Sequence, residues 1–341
     1  MVRIPFDELK ARVTAVLTRS GMDPQRAALS GELTAGTDRD GVRTHGIARL
    51  PRFLAMAREG AIDLKASPTT VASFGSLERW DGHYGPGNLA AYAAMSRACA
   101  LALEHGVGCV AMARSSHWQR AGTYGWLAAE QGCAALCWTN TIANLPPWGS
   151  AQPALGNNPL VFAVPRGDGR HIVLDFAMSQ FSYGTLEKYQ RNGQQLPFPG
   201  GFDEEGRMTT DPAAIQKTYR ALPIGLWKGS GLSFVLDALA GMLSGGKITS
   251  DLGRTAKDET GVSQIFLAVS PGAVSSFTEL DSITARAIDS LHSVAPLSES
   301  DKPRYPGESV LRIREENLQQ GVAIEDPVWA AFLELEANVS G

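Results

Sequence analysis

The chain lacks long apolar runs, a strong excess of charge of one sign, and an apolar leader. No stretch of its 341 residues reaches the roughly 18 uninterrupted apolar residues that a membrane helix needs. The opening residues, MVRIPFDELKARV, contain no continuous apolar segment like that of a secretory signal. The formal net charge is only −4. The sequence therefore predicts a cytoplasmic protein with neither a membrane nor a nucleic acid as partner.

Cysteine is also scarce. The chain has four, all in apolar, alanine-rich surroundings: Cys99, Cys109, Cys133 and Cys137. The last two are four positions apart, but no histidine or acidic residue accompanies them at the spacing of metal ligands. We predict reduced cysteines in the core and no metal site.

Several catalytic motifs are absent or only imitated. The chain has no G-x-S-x-G and no H-E-x-x-H, which argues against a serine hydrolase and a zinc protease. GPGNLA (85–90) fits a dinucleotide fingerprint, but the next predicted strand ends in arginine and serine instead of the ribose-binding acid. GMLSGGKIT (241–249) resembles a phosphate loop, but Ile248 replaces the required hydroxyl residue. We predict a turn and a helix end at these two places.

The apolar periodicity predicts helices towards both ends of the chain and a mixed α/β centre. Helices are expected over residues 6–19 and from Asp23-Pro24 to Asp38, and the last helix begins at Asp326-Pro327. The polar stretch 193–215 is predicted to lie outside the core. A further helix is expected over 231–243, and central strands are expected over 107–113, 134–140, 160–165, 171–177 and 264–270, with 171–177 buried.

One stretch, GVRTHGIARLPRF (41–53), is unlike a core segment because it combines a histidine, three arginines and two glycines. Reduction of a 2-keto acid needs a proton donor that titrates near neutrality and a fixed cation for the carboxylate. His45 and Arg49, four residues apart, match these needs, and their spacing predicts that both project from one side of a helix start.

A second histidine follows a predicted strand in SSHWQRAGTYGW (115–126). Loops at the carboxyl ends of strands commonly hold ligands in α/β proteins. His117 and the nearby Arg120 are therefore further candidates for substrate binding, although each histidine alone could be structural.

The stretch LPIGLWKGSGLSFVLD (222–237) predicts a glycine-rich helix start. With Gly229 and Gly231 opening the helix, its free N–H groups and Lys228 could attract a pyrophosphate or ribose phosphate. A glycine-capped helix with an exposed lysine is the equally balanced alternative.

These motifs together resemble the malate/L-lactate dehydrogenase family of non-Rossmann nicotinamide enzymes. The resemblance runs from residue 6 to about 335 and is carried by THG (44–46), SSHWQRAGTYGW, the WTN…PPWG…GNNP run, VLDFAMS and WKGSGLS. Within the family, CWTN, LPPWG, FSYG, QLPFPGGFDEEG and LPIGLWKGSG most resemble the branch that acts on 2,3-diketo-L-gulonate. One departure is Asn157, which stands where the family has the threonine of G-T-N-P.

The resemblance implies an α/β fold with a mixed sheet, like that of L-sulfolactate dehydrogenase, with helical N- and C-terminal segments packed together. Residues 1–75 with 290–341 would form a helical segment for substrate and dimer contacts, and 76–289 a mixed-sheet domain for the nicotinamide cofactor. Family members are commonly dimers. The implied cofactor-binding residues are Thr141, His171, Ile172, Val173, Leu174, Asp175, Phe176, Ala177, Trp227, Lys228, Gly307, Glu308 and Ser309.

The resemblance implies an NAD(P)-dependent oxidoreductase acting on CH–OH groups. The predicted reaction is the NADH-dependent reduction of a 2-keto acid, 2,3-diketo-L-gulonate to 3-keto-L-gulonate, with NADP left open as cofactor. The resemblance makes His45 the proton donor, although other branches credit the histidine that matches His117. Arg49, His117 and Arg120 would bind the substrate. The alternatives are oxidation of malate, lactate or ureidoglycolate, reduction of a cyclic imine, and a silent carboxylate-binding protein on the same scaffold. Lys188 and Arg191 are candidate contacts for the additional phosphate of NADPH.

Overall fold

A seven-stranded mixed sheet forms the centre of the computed structural model, which describes residues 1–253, 259–298 and 302–339. Only the second and third of its strands run parallel to each other; all the other neighbours are antiparallel. A doubly wound dinucleotide fold is mostly parallel, so the predicted mixed, non-Rossmann sheet is confirmed. The strands in spatial order are β2 (Thr69–Phe74), β3 (Leu77–Asp81), β4 (Val107–Ser116), β10 (Thr260–Val269), β5 (Ala134–Thr139), β6 (Leu160–Val164) and β7 (Ile172–Phe176).

The two ends of the chain pack together, as predicted. Strand β1 (Val2–Ile4) pairs antiparallel with β11 (Val322–Ile324). The helices at these ends are α1 (Phe6–Arg19), α2 (Pro24–Arg39), α3 (Leu50–Arg58), α10 (Glu308–Gln320) and α11 (Asp326–Asn338). Leu9 and Val13 from the apolar stripe of α1 share one core with Phe332 of α11. The Asp23 carboxylate accepts the N–H groups of Gln25 and Arg26, which is why α2 begins there.

Helices cover both faces of the sheet. On one face lie α4 (Gly87–His105) and α5 (Gly122–Glu130), and on the other lies α8 (Trp227–Ser244). Because successive strand residues point to opposite faces, Phe266 of β10 joins the α4–α5 core, whereas its neighbour Ile265 joins the α8 core. The remaining elements are α6 (Tyr183–Arg191), β8 (Gly201–Phe202), β9 (Met208–Thr209), α7 (Pro212–Thr218) and α9 (Phe277–His292).

The structure of the polar stretch 193–215 differs from one prediction. It carries the small β8–β9 hairpin, and two of its residues, Leu196 and Ile215, are buried in the core that also holds Leu186 of α6. The average polarity of the stretch conceals these two widely spaced apolar anchors, so the expectation that it lies outside the core is wrong for them.

All four cysteines carry free thiols. Cys99, Cys133 and Cys137 are buried as predicted, whereas Cys109 is only half-buried. Among the described residues, no group of histidine, cysteine and acidic side chains is arranged to hold a metal ion. In the same part of the chain, no helix has both the length and the apolar composition needed to cross a membrane.

Candidate active site

The histidine of the THG motif lies in a tight double turn. Two 3₁₀ turns, Arg43–His45 and Ile47–Arg49, meet at Gly46 and lead into α3. The buried carboxylate of Asp38 accepts the Ile47 N–H at 2.7 Å, and a Cβ at Gly46 would lie 2.0 Å from that carboxylate. The prediction of one helix start that carries both His45 and Arg49 is therefore wrong, because each residue lies in its own 3₁₀ turn on either side of Gly46.

The structure brings His45 and His117 together. Their rings are stacked with centroids 5.8 Å apart and planes inclined by 21°. The Gln119 N–H donates to Nδ1 of His117 at 3.0 Å, so the neutral form of His117 carries its proton on Nε2. Nδ1 of His45 lies 2.8 Å from the Thr44 hydroxyl. Nε2 of His117 is thus oriented as a hydrogen-bond donor.

Both imidazoles are held in the neutral form. Burial, with the positive charges of Arg49 and Arg120, lowers the pKa of His45 from 6.5 to about 4. Burial, Arg49 and His45 itself likewise keep the pKa of His117 well below its ordinary value. The prediction of a proton donor that titrates near neutrality is therefore wrong for the substrate-free protein, because the pKa values of both histidines lie below that range. An arriving carboxylate would offset the arginine charges and raise the pKa of His45.

This environment predicts an acidic titration of His45. We expect its ring to titrate near pH 4, compared with 6.5 for an ordinary histidine, because protonation adds a buried charge beside two guanidinium groups. The folded-state pKa lies below the unfolded one, so the stability linked to this group is complete above pH 6.5 and declines as the pH falls towards 4. Proton NMR of the imidazole Cε1–H, assigned by comparison with His45→Gln, measures this pKa. A titration midpoint at pH 6 or higher would contradict the prediction.

A small pocket adjoins one histidine of the pair, His117. Its volume is about 20 Å³, enough for about one water molecule. One oxygen of Glu259, Oε2, lies 2.9 Å from Nη2 of Arg49 and 3.1 Å from Nη2 of Arg52. The lining residues are Arg49, Arg52, Phe53, Met56, Ile62, His117, Gln119 and Glu259.

Sequence reasoning missed Arg52 and Glu259 at this pocket. Arg52 could have been found, because it lies three positions after Arg49, close to one helical turn. Glu259 has no local sequence signal, since it reaches the pocket from the position just before β10, more than 200 positions along the chain from Arg49.

Arg120 lies in the interior, where Asp40 binds its guanidinium. Nη1 of Arg120 is 2.5 Å from Oδ2 of Asp40, and both side chains are almost fully buried. Arg314 makes two hydrogen bonds to the same carboxylate, at 2.7 and 2.8 Å, and stacks on the Trp126 ring. Arg39 adds a third ion pair. Arg120 thus acts on His45 through its charge, while contact with the substrate stays a prediction.

The predicted cofactor residues of β7 and of the last third of the chain meet at one sheet edge. The Val173 N–H donates to the Pro306 carbonyl at 3.0 Å, and Gly307, with φ +98°, lies so close that a Cβ there would be 3.2 Å from the His171 carbonyl. The His171 ring itself is buried, and its Nδ1 accepts the Arg166 N–H. The expectation that 171–177 is a buried strand is wrong, since β7 is an edge strand with Leu174 and Asp175 exposed.

Backbone hydrogen bonds connect this edge to the other predicted cofactor residues. The Met178 N–H donates to the Asn157 carbonyl, and the Ile224 N–H donates to the Met178 carbonyl, each at 2.8 Å. Thr141 reaches the Asn157 side chain at 3.0 Å. Farther along the same segment, a Cβ at Gly184 would lie 2.6 Å from the Thr44 side chain. The start of α6, which follows the predicted cofactor strand in the chain, therefore lies beside the turn that carries His45.

The helix with the predicted anion site begins earlier than expected. Helix α8 starts at Trp227 instead of residue 231, and the N–H groups of Lys228 and Gly229 donate to the Gly225 and Ile224 carbonyls. Gly229 therefore does not offer a free N–H, and that part of the prediction is wrong. The side chains of Trp227 and Lys228 are exposed and accessible to a ligand.

Comparison with known proteins identifies relatives over almost the whole chain. A family model described as malate/L-lactate dehydrogenase matches residues 4–333. The 2,3-diketo-L-gulonate reductase of Citrobacter koseri is 41% identical over 329 residues, covering 96% of this chain and 98% of the relative. The protein of the same name from Escherichia coli K12 is 40% identical with the same coverage.

Solved structures agree on the fold. Malate dehydrogenase from Entamoeba histolytica superposes with a TM-score of 0.94 at 22% identity, covering 100% of this chain and 98% of that one. Sulfolactate dehydrogenase from Methanocaldococcus jannaschii gives 0.91 at 25% identity, with 99% and 98% coverage. The predicted sulfolactate dehydrogenase-like fold is confirmed.

Proposed function

Because the chain belongs to the malate/L-lactate dehydrogenase family, we propose that this oxidoreductase uses NADH to reduce a 2-keto acid, 2,3-diketo-L-gulonate, to 3-keto-L-gulonate. The observation that carries the proposal is the stacked pair His45 and His117 beside the pocket that holds Arg49. The names of the 40–41% identical relatives support the choice of substrate.

The proposed chemistry assigns a role to each of these side chains. The nicotinamide, when bound, supplies the hydride that the keto carbon receives. His45 gives a proton to the carbonyl oxygen as negative charge develops there. Arg49 holds the substrate carboxylate through two parallel hydrogen bonds, and Nε2–H of His117 donates a further hydrogen bond to the substrate.

The residues at the β7 edge fit a nicotinamide dinucleotide. The close approach of Gly307 to β7 leaves the N-terminus of α10 facing an exposed strand, an arrangement that suits a phosphate group. Two buried donors there, the Trp126 indole N–H and the Tyr305 hydroxyl, have no partner within the described residues. Asp175 offers a carboxylate for a ribose hydroxyl. We propose that 171–177, 307–309, Thr141, Trp227 and Lys228 hold the cofactor.

The pairing of one candidate arginine supports the proposal of NADH over NADPH. The Arg191 guanidinium makes two hydrogen bonds to Glu325, at 2.5 and 3.2 Å, so a 2′-phosphate would have to displace that carboxylate. Lys188 is exposed and remains the other candidate contact.

Side-by-side kinetics test the proposed function. NADH oxidation is followed at 340 nm with 2,3-diketo-L-gulonate, oxaloacetate, pyruvate and a cyclic imine, and NADPH replaces NADH in a parallel series. We expect the largest kcat/KM with the diketo acid and NADH. A larger kcat/KM with another substrate would contradict the proposed substrate and assign a different one from the same family. Ligand binding without any turnover would favour a silent binding protein.

We also propose a homodimer. One face of α8 exposes a stripe of large apolar side chains, with Trp227 at 65%, Phe234 at 63% and Met242 at 69% exposure, each about two helical turns from the next. This stripe begins at predicted cofactor residues, which suits a cofactor site near a subunit boundary. The division into 1–75 with 290–341 and 76–289, and the cytoplasmic location, stay predictions.

The dimer proposal predicts a change of mass in solution. Phe234→Glu with Met242→Glu places charges in the apolar stripe and is expected to convert a dimer to a monomer in light scattering after size exclusion. Val274→Glu, at a still more exposed apolar residue off α8, is the control and should leave the dimer intact. A wild-type monomer, or a double variant that remains dimeric, would contradict this interface.

A further inference from the structure

Among the described residues that line the active-site pocket, Glu259 is the acidic one. Its Oε2 contacts the guanidinium groups of both Arg49 and Arg52, and all three side chains are largely buried. His117 is neutral, and the proton that His45 takes up is passed to the carbonyl oxygen, so the permanent charges of this cluster are those of the two arginines and Glu259. These three side chains sum to one positive charge, which balances a single substrate carboxylate.

We propose that Glu259 is a specificity-determining residue that makes the pocket select 2-keto acids with one carboxylate over those with two. The inference rests on the proposed function, since it concerns the same pocket and the same arginines. It assigns a role to a residue that has no place in the proton transfer or in hydride transfer.

Two physical effects support this role. A substrate carboxylate that binds Arg49 must share that arginine with Glu259 or displace it, because Nη2 of Arg49 already donates to Oε2. A monoanion leaves Arg52 to neutralise Glu259. A second carboxylate would need Arg52 as well, and would then lie next to an uncompensated Glu259 in a site poor in water, where repulsion between like charges is strong.

The remainder of the substrate need not be charged. Hydroxyl groups can accept from an arginine that is already paired with a carboxylate, and they add no negative charge to the pocket. A polyhydroxy keto acid with one carboxylate is therefore compatible with the Arg49–Glu259–Arg52 cluster, whereas a four-carbon keto diacid is not.

The test compares two substrates in one variant. Glu259→Gln removes the negative charge and keeps the size, and it should raise the ratio of kcat/KM for oxaloacetate to kcat/KM for 2,3-diketo-L-gulonate by at least about tenfold. Glu259→Asp keeps the charge and should keep the wild-type preference. Glu205→Gln, at an exposed glutamate paired with Arg207, is the matched control and should change neither substrate.

Inhibitor binding provides a readout that does not depend on turnover. The ratio of the inhibition or dissociation constants of oxamate and oxalate, a monoanion and a dianion of similar size, should shift towards oxalate in Glu259→Gln. Equal losses with both anions would overturn the inference, since Glu259 would then only position the arginines. If the wild-type enzyme turns over no keto acid, the proposed function fails instead.

Discussion

His45→Ala is expected to lower kcat for keto-acid reduction by about 10²–10⁴-fold, the range typical for loss of a general acid. The alkoxide that forms at the substrate oxygen would then have to take its proton from water, while Arg49 would still hold the carboxylate. The KM for the keto acid and the dissociation constant for NADH should therefore change little. Steady-state kinetics and NADH fluorescence titration measure these quantities separately.

His117→Ala is the comparison that decides between the two histidines. Its ring stacks on His45 and its Nε2 carries a proton, so it is the alternative donor. If His117 only binds the substrate, the loss should fall mainly on KM. A loss of less than tenfold in His45→Ala, with NADH binding intact, would move the proton transfer to His117.

Asp40→Ala is expected to lower the free energy of unfolding by about 3–5 kcal/mol, because it leaves buried positive charge without its partner. Asp40 is 3% exposed and pairs with Arg39, Arg120 and Arg314. Urea unfolding followed by circular dichroism measures the loss. Glu205→Ala removes an exposed carboxylate that pairs with Arg207 and should cost less than about 0.5 kcal/mol.

The stability that this cluster contributes depends on pH. Burial alone would raise the pKa of Asp40, but the hydrogen bonds from Arg314 and the charges of Arg120, Arg314 and Arg39 together lower it below its ordinary value of 3.8. Its contribution to stability is therefore complete above pH 3.8 and declines as the pH falls below that value. The difference in the free energy of unfolding between wild type and Asp40→Ala should therefore be constant from pH 5 to 8. A difference that shrinks within that range would contradict the assignment.

Much of the fold was predictable from the sequence because it depends on local patterns. The apolar stripe of α1 and the Asp23-Pro24 cap place their helices correctly, since propensity and capping act within a few residues. The start of α8 was misplaced, because Gly229 and Gly231 lie inside its first turns, where glycine is ordinarily unfavourable. The buried residues Leu196 and Ile215 were missed for a related reason, as nothing nearby in the chain signals their burial.

By itself, the sequence determined the kind of chemistry at hand: a histidine and an arginine between glycines, a second histidine after a strand, and the family motifs around them. Only the tertiary structure decided which of these groups meet. It stacks His45 on His117 and pairs Arg120 with Asp40. It also places Glu259 in contact with Arg49 and Arg52. These contacts join residues tens to hundreds of positions apart, and their charges interact through space, so strand order and packing set the charge and pKa of the site.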